Sequence, residues 1–277
     1  MSDRTRSSVG AVRGVGVTAT AALATLMLLL YAPLLQLVVS SFNTNAVTAR
    51  WKGFTTRWYR AVLTNNEALE AFSWSLQLAV SVAITAGVVG GGAAIAARRR
   101  PRLRAILVVM ATARVATPEI VLAVALGVLL PLLDIEFGPW PMWFGHTALL
   151  SAYVVLVVNA RLAGAQPDLE DAAADLGAPP AAVVRDVVVP HIRPAIMAAM
   201  VLVAAFSFDD VLLSSRLSGP DDTTLPLVIL SMATRRTTPE VDAIGSLVLG
   251  LGALAFALAV AIGRVARGTG PEGGLPL

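Results

Sequence analysis

Cysteine is absent from all 277 residues, which excludes disulfides, thiolate nucleophiles and cysteine metal sites. Lysine occurs once, as Lys52 in TARWKGFT. A phosphate-binding loop of the form G-x-x-x-x-G-K-[ST] needs a lysine after its glycines, so this chain carries no such loop and is not expected to hydrolyse ATP. Histidine occurs twice, at His146 and His191, with no ligand spacing around either, and no metal site or bound cofactor is expected. Serines and acids are frequent, but no nucleophile motif accompanies them, so no enzymatic activity is expected. Charge is scarce too. Asp, Glu, Lys and Arg make up 14% of the chain, against roughly a quarter in an ordinary soluble domain. With 56% hydrophobic residues, the composition is that of a membrane protein.

A helix needs about 20 apolar residues to cross the hydrocarbon core. Six stretches meet that need: Val15 to Val39, Ala71 to Ala97, Ala105 to Leu133, Met142 to Ala160, Ile192 to Leu213 and Ala243 to Gly263. The third carries Arg114 and Glu119, and the fifth ends in the acidic pair Asp209 and Asp210. The first follows Arg4, Arg6 and Arg13 as the core of a signal peptide would, but its 25 uncharged residues are too many for one. Pro33 in the first stretch and Gly90, Gly91 and Gly92 in the second are tolerable where neighbouring helices cover the backbone. An all-α membrane protein is expected, with a tail at 1–14, a six-helix transmembrane domain at 15–265 and a tail at 266–277.

Arginines set the orientation, because cytoplasmic loops retain positive charge. RRRPRLR at 98–104 holds five arginines. Placing it inside puts both termini and thirteen basic residues inside, against seven outside, with Arg114 within the membrane. The outer segment nevertheless contains Arg50, Lys52, Arg57 and Arg60. Trp51, Phe54, Trp58 and Tyr59 lie in that segment as an aromatic cluster, fitting an interfacial belt.

Between the fourth and fifth stretches lies DLEDAAADLGAPPAAVVRDVVVP, water-facing and cytoplasmic in this topology. Asp168 fits an N-cap for a helix to about Leu176, Gly177 a left-handed turn, Pro179 or Pro180 the start of a second helix, and Pro190 its end. A DNA-reading helix-turn-helix is disfavoured, since Asp168, Glu170, Asp171 and Asp175 would face phosphates; no nucleic-acid partner is expected.

The stretch resembles the EAA loop of permeases in binding-protein-dependent ABC importers, with the pattern E-A-A, three residues, G, nine residues, I-x-L-P. Here Asp171-Ala172-Ala173, Gly177 and Val187 to Pro190 keep that spacing, with Asp for the first Glu beside Glu170, and valines for Ile and Leu. The resemblance implies a type I ABC importer permease (MetI-like) fold and a coupling loop at 161–191. Glu170, Asp171, Ala172, Ala173, Gly177 and Pro190 would dock it on a separate cytoplasmic ATPase dimer that binds ATP and Mg. It also implies a second homologous permease subunit, an extracytoplasmic substrate-binding protein and a place in the bacterial plasma membrane. SFN at 41–43, WKGFTTRWY at 51–59, TPEIV at 117–121, FDDVLLSS at 208–215, SGP at 218–220 and LPLVILSM at 225–232 are similar to the second permease of spermidine/putrescine importers. Related branches handle ferric ion, thiamine, sulfate or other solutes, and a secondary transporter needing no ATPase is a further alternative.

A charge at the bilayer centre costs about 2.5 to 3.5 kcal/mol on insertion scales, so acids within spans tend to face an aqueous path or a partner. Glu119, Asp209 and Asp210 are therefore candidates to line a path for a polyamine cation. The alternatives are that the Asp pair decorates a helix end in the headgroup layer and that Glu119 pairs with Arg114. The i to i+5 spacing is poor for a helical pair, and Arg114 fits a face toward another subunit instead.

Overall fold

The computed structural model describes residues 3–45, 50–164, 167–220, 222–235 and 239–268. In chain order the helices are α1 (Asp3–Ser40), α2 (Arg57–Thr64), α3 (Asn66–Ala97), α4 (Pro101–Ala116), α5 (Glu119–Leu132), α6 (Pro139–Ala163) and α7 (Pro167–Asp175). There follow α8 (Pro180–Val183), a π-helical turn at Val184–Val188, α9 (Val189–Phe208), α10 (Ser214–Leu217), α11 (Leu225–Arg235) and α12 (Pro239–Gly268). Among the described residues, four helical stretches are long and apolar enough to span a membrane: Ala19–Ser40, Asn66–Ala97, Pro139–Ala163 and Pro180–Phe208. The sixth expected span lies inside the 30 residues of α12, while 269–277 of the expected C-terminal tail and 165–166 of the expected loop lie outside the described residues. α1 begins at Asp3, within the segment expected as an N-terminal tail.

The third expected span is broken. α4 and α5 meet at an angle of 95° and count as a fifth crossing only if taken together. Pro118 is the cause: its ring disfavours helical geometry in the preceding residue, and Thr117 turns extended at φ −75° and ψ 127°. Thr117 closes α4 by giving its N–H to the carbonyls of Ala113 and Arg114, at 3.0 and 3.2 Å. The break puts Glu119 in the first turn of α5, where a carboxylate suits the positive end of the helix dipole. Non-helical backbone at membrane depth is tolerated where it is buried in protein or lines a water-filled space.

Pro190 breaks expectation in the opposite sense, because the second helix does not end there. Pro180–Phe208 runs on as one stretch of 29 residues. A proline lacks the N–H of the i to i−4 ladder and crowds the carbonyl four residues back. Here the helix widens just before it into the π turn, in which Val189 donates to the Val184 carbonyl, and Pro190 stands in the first turn of α9. The fifth expected span accordingly starts earlier and stops at Phe208, immediately before the acidic pair.

The chain divides into two compact units, Asn66–Ser231 and the combination of Met1–Asn65 with Met232–Leu277. In the first, α3, α6 and α9 pack against one another around Leu78, Val82, Val154, Val158, Ile192 and Val203. The outer faces are apolar as well, with Val88, Val109 and Met110 each more than 60% exposed, as hydrocarbon requires. Lipid gives no hydrophobic drive for helix pairing, so close approach through small residues carries the association. Gly90 shows this: a Cβ there would lie 2.7 Å from the Ser151 carbonyl oxygen and 2.8 Å from the Val154 Cβ. Gly90→Ala is therefore expected to cost about 1 to 3 kcal/mol by overpacking. Gly92, with nothing within 4 Å, should accept alanine without loss. Thermal unfolding of the two purified variants checks this, with only Gly90→Ala lowering the midpoint.

In the second unit α12 packs on α1 and α2, and Ser40 Oγ donates to Asp242 at 2.5 Å. SFN and WKGFTTRWY fold onto each other. Phe42 stacks on Phe54 at 5.2 Å, Ser41 Oγ meets Tyr59 Oη at 2.6 Å, and Trp58 Nε1–H donates to the Asn43 carbonyl at 2.8 Å. Trp51 and Phe54 remain largely exposed.

Candidate functional site

The segment matching the EAA pattern forms the expected helix, turn and helix. α7 begins at Pro167, so Asp168 stands inside its first turn and is not the residue before it. At its other end Gly177 takes φ +81°. Its N–H bonds the Ala174 carbonyl at 2.9 Å and the Ala178 N–H bonds the Ala173 carbonyl at 3.1 Å, the paired bonds of a Schellman turn. Pro179 is extended and Pro180 opens α8. Leu169 and Leu176 point outward at 59% and 90% exposure beside the exposed Ala172. Ala173 is half-buried, and Pro190 lies in the separate α9.

Glu170 and Asp171 part company in this helix. The Glu170 side chain, 16% exposed, accepts from Nε of Arg98 at 3.3 Å and Nε of Arg99 at 3.0 Å. Asp171, mostly exposed, accepts from Arg99 Nη2 at 3.0 Å. Hydrogen bonding to Glu170, then the charge of that carboxylate, raises the Arg99 pKa above its ordinary value. Arg98 and Arg99 are therefore the ionic seat of α7, a pairing that sequence reasoning missed and that the opposite charges of RRRPRLR and the acidic loop could have signalled. Arg104, at the end of that stretch, donates to the Asn159 side chain and carbonyl at 3.2 and 3.1 Å.

The three acids proposed from sequence also come together. Glu119, Asp209 and Asp210 line one cavity of about 520 Å³, with Arg114 and the ring-bearing walls of Tyr153 and Phe206. TPEIV supplies one side of it and FDDVLLSS another. Asp209 caps the C-terminus of α9 through its N–H to the Ala205 carbonyl, and its side chain is exposed. Asp210 is buried and occupied: it accepts the N–H groups of Ser214 at 2.7 Å and Leu213 at 3.3 Å. Glu119 and Arg114 stand on opposite sides of the α4–α5 break, and both line this cavity with Asp210. Arg114 Nε is buried without a hydrogen-bond partner among the described residues.

His146 was the residue sequence reasoning passed over. It is 1% exposed, with Nδ1 2.9 Å from Ser207 Oγ and Nε2 3.4 Å from both Asp210 Oδ2 and Ser214 Oγ. It ties α6 to the break between α9 and α10 and occupies Asp210. Its partners lie more than sixty residues away in sequence, so no local spacing pointed to them.

Two built elements are thus present, an apolar-walled cavity with three carboxylates and a separate charged helix seated on arginines. Residues 83–267 match the family described as binding-protein-dependent transport system inner membrane component. The chain is 36% identical over 243 residues to the spermidine/putrescine transport system permease protein PotC of Escherichia coli (strain K12), covering 86% of this chain and 89% of the relative. It is 35% identical to the putrescine transport system permease protein PotI of the same strain, covering 80% and 82%. In fold it is similar to a chain of a bacterial ABC transporter involved in the import of the acidic polysaccharide alginate. That likeness has a TM-score of 0.64 at 15% identity and covers 93% of this chain and 97% of the other. The helical spans, the EAA spacing with its Gly177 turn and these matches agree: the chain belongs to the family of binding-protein-dependent transport system inner membrane components.

Proposed function

We propose that this chain is the permease subunit of an ATP-driven importer for polyamines of the spermidine/putrescine type. It works in the bacterial plasma membrane, both termini cytoplasmic, with an ATPase dimer, a second homologous permease and an extracytoplasmic binding protein. The observation that carries the substrate class is the cavity at the α4–α5 break. A polyamine is a row of ammonium groups joined by methylenes, and the cavity sets carboxylates beside Leu149, Tyr153 and Phe206. Cations over aromatic faces gain further stabilisation when desolvated. Names of the relatives support the same class. α7, held by Arg98 and Arg99 and turned at Gly177, is the element that docks on the ATPase and relays its closure to the spans.

Arg114 favours a second reading, in which the solute carries an anionic group beside its amine, because its buried Nε has no hydrogen-bond partner among the described residues. Competition separates the two. Uptake of labelled putrescine by cells expressing the complete importer should be abolished by excess spermidine and untouched by β-alanine. Equal inhibition by β-alanine would favour the zwitterion, and uptake that persists without the ATPase would overturn an ATP-driven importer.

A further inference from the structure

The hydrocarbon-compatible helix α3 ends at Ala97, and Arg98 follows directly. Against this boundary lies a groove of about 380 Å³ lined by Arg98, Arg99, Pro101, Arg104, Ala105 and Val108. It is separate from the acidic cavity, and the coupling role of α7 does not use it. Each guanidinium spends part of its donor set inside the protein. Arg98 uses Nε and Nη1 on Glu170 and the Ile95 carbonyl, Arg99 uses Nε and Nη2 on Glu170 and Asp171, and Arg104 uses Nε and Nη2 on Asn159. One Nη of each, Nη2 of Arg98 and Nη1 of Arg99 and Arg104, has no hydrogen-bond acceptor among the described residues. A guanidinium is always charged and offers five N–H groups, so three donor pairs remain for an anion. Glu170 and Asp171 offset part of the charge, but the three guanidiniums of Arg98, Arg99 and Arg104 against two carboxylates leave the groove cationic.

The floor is not polar. Pro101, Ala105 and Val108 follow one another on one face of α4 at helical spacing, and Ile106, Val109 and Met110 beside them are 55%, 66% and 64% exposed. An isolated phosphate would satisfy the arginines but not this apolar wall, and an acidic protein surface would desolvate its charges against it. A phosphate with aliphatic tails satisfies both. Basic pockets on the cytoplasmic side of membrane helices suit anionic lipid head groups for this reason. We propose that this groove binds one anionic glycerophospholipid, with its phosphate on Arg98, Arg99 and Arg104 and its acyl chains along the outer face of α4. The bound lipid would brace the same arginines that seat α7.

The test is native mass spectrometry of the complete detergent-purified importer titrated with phosphatidylglycerol or phosphatidylcholine. The expected result is retention of phosphatidylglycerol over phosphatidylcholine in the unmodified complex, a comparison that needs no variant. Arg99→Gln and Arg104→Gln should each weaken phosphatidylglycerol retention by about fivefold. Arg185→Gln should leave it unchanged, because Arg185 is an exposed cation paired with Asp186 outside the groove. Equal retention of both lipids, or retention unaffected by both groove variants, would overturn the proposal. So would displacement of the lipid by millimolar inorganic phosphate, which would mark a free-phosphate site. Phosphatidylglycerol retained by the permeases stripped of their ATPase but not by the complete importer would instead assign the groove to a protein partner.

Discussion

Replacing Gly177 by valine is expected to cut substrate uptake at least about tenfold at unchanged membrane level. The turn at +81° is one that L side chains rarely adopt, and both bonds closing α7 depend on it. A β-branched residue there costs about 1 to 3 kcal/mol, which the short α7 would relieve by reorienting rather than holding its end. Crowding is not the cause, since a Cβ at this position meets nothing within 4 Å. Gly177→Asn should therefore retain most of the uptake, because asparagine tolerates the left-handed region. The spans lie elsewhere in the chain, so insertion should persist in both variants. Initial uptake rates normalised to immunoblotted membrane protein decide the matter. A valine variant that transports normally with unchanged ATP dependence would show that this loop is not the coupling element.

Much of this could be read before any coordinates, and the failures have local physical causes. Composition and apolar run lengths gave the all-α membrane class, and Gly177 and Pro180 announced their backbone states because few other residues suit them. Run length alone could not see the break at Thr117, since hydropathy is blind to the Pro118 ring, which forces Thr117 out of helical geometry where the path bends by 95°. That break matters most for the proposed path, because Glu119 lines the cavity beside it. Pro190 misled in the reverse direction: the proline rule assumes an α-helix, and one π turn accommodates the missing donor. His146 and Asp210 meet only through tertiary packing. The ion pairs between RRRPRLR and Glu170 lay between, visible as complementary charge but not as a particular contact.

The acids are separable in the structure, and that separation supplies the second large effect. Asp210 holds two backbone N–H groups and faces His146, so its replacement would disturb the α9–α10 break whether or not a cation passes. Asp209 accepts no hydrogen bond from the described residues and faces the cavity. Asp209→Asn keeps the size of the side chain and removes the charge that offsets desolvation of an ammonium. A hydrogen bond to a charged group is worth about 1.5 to 3 kcal/mol, which corresponds to a fall of roughly ten- to a hundredfold in uptake. ATPase assembly, which the proposed function assigns to α7, should be unaffected. The decisive measurement is the initial rate of labelled putrescine uptake by the Asp209→Asn importer, at matched membrane level and with the ATPase co-purifying as in the unmodified complex. A fall of that size is the result expected of a cation path through this cavity; an undiminished rate would contradict it.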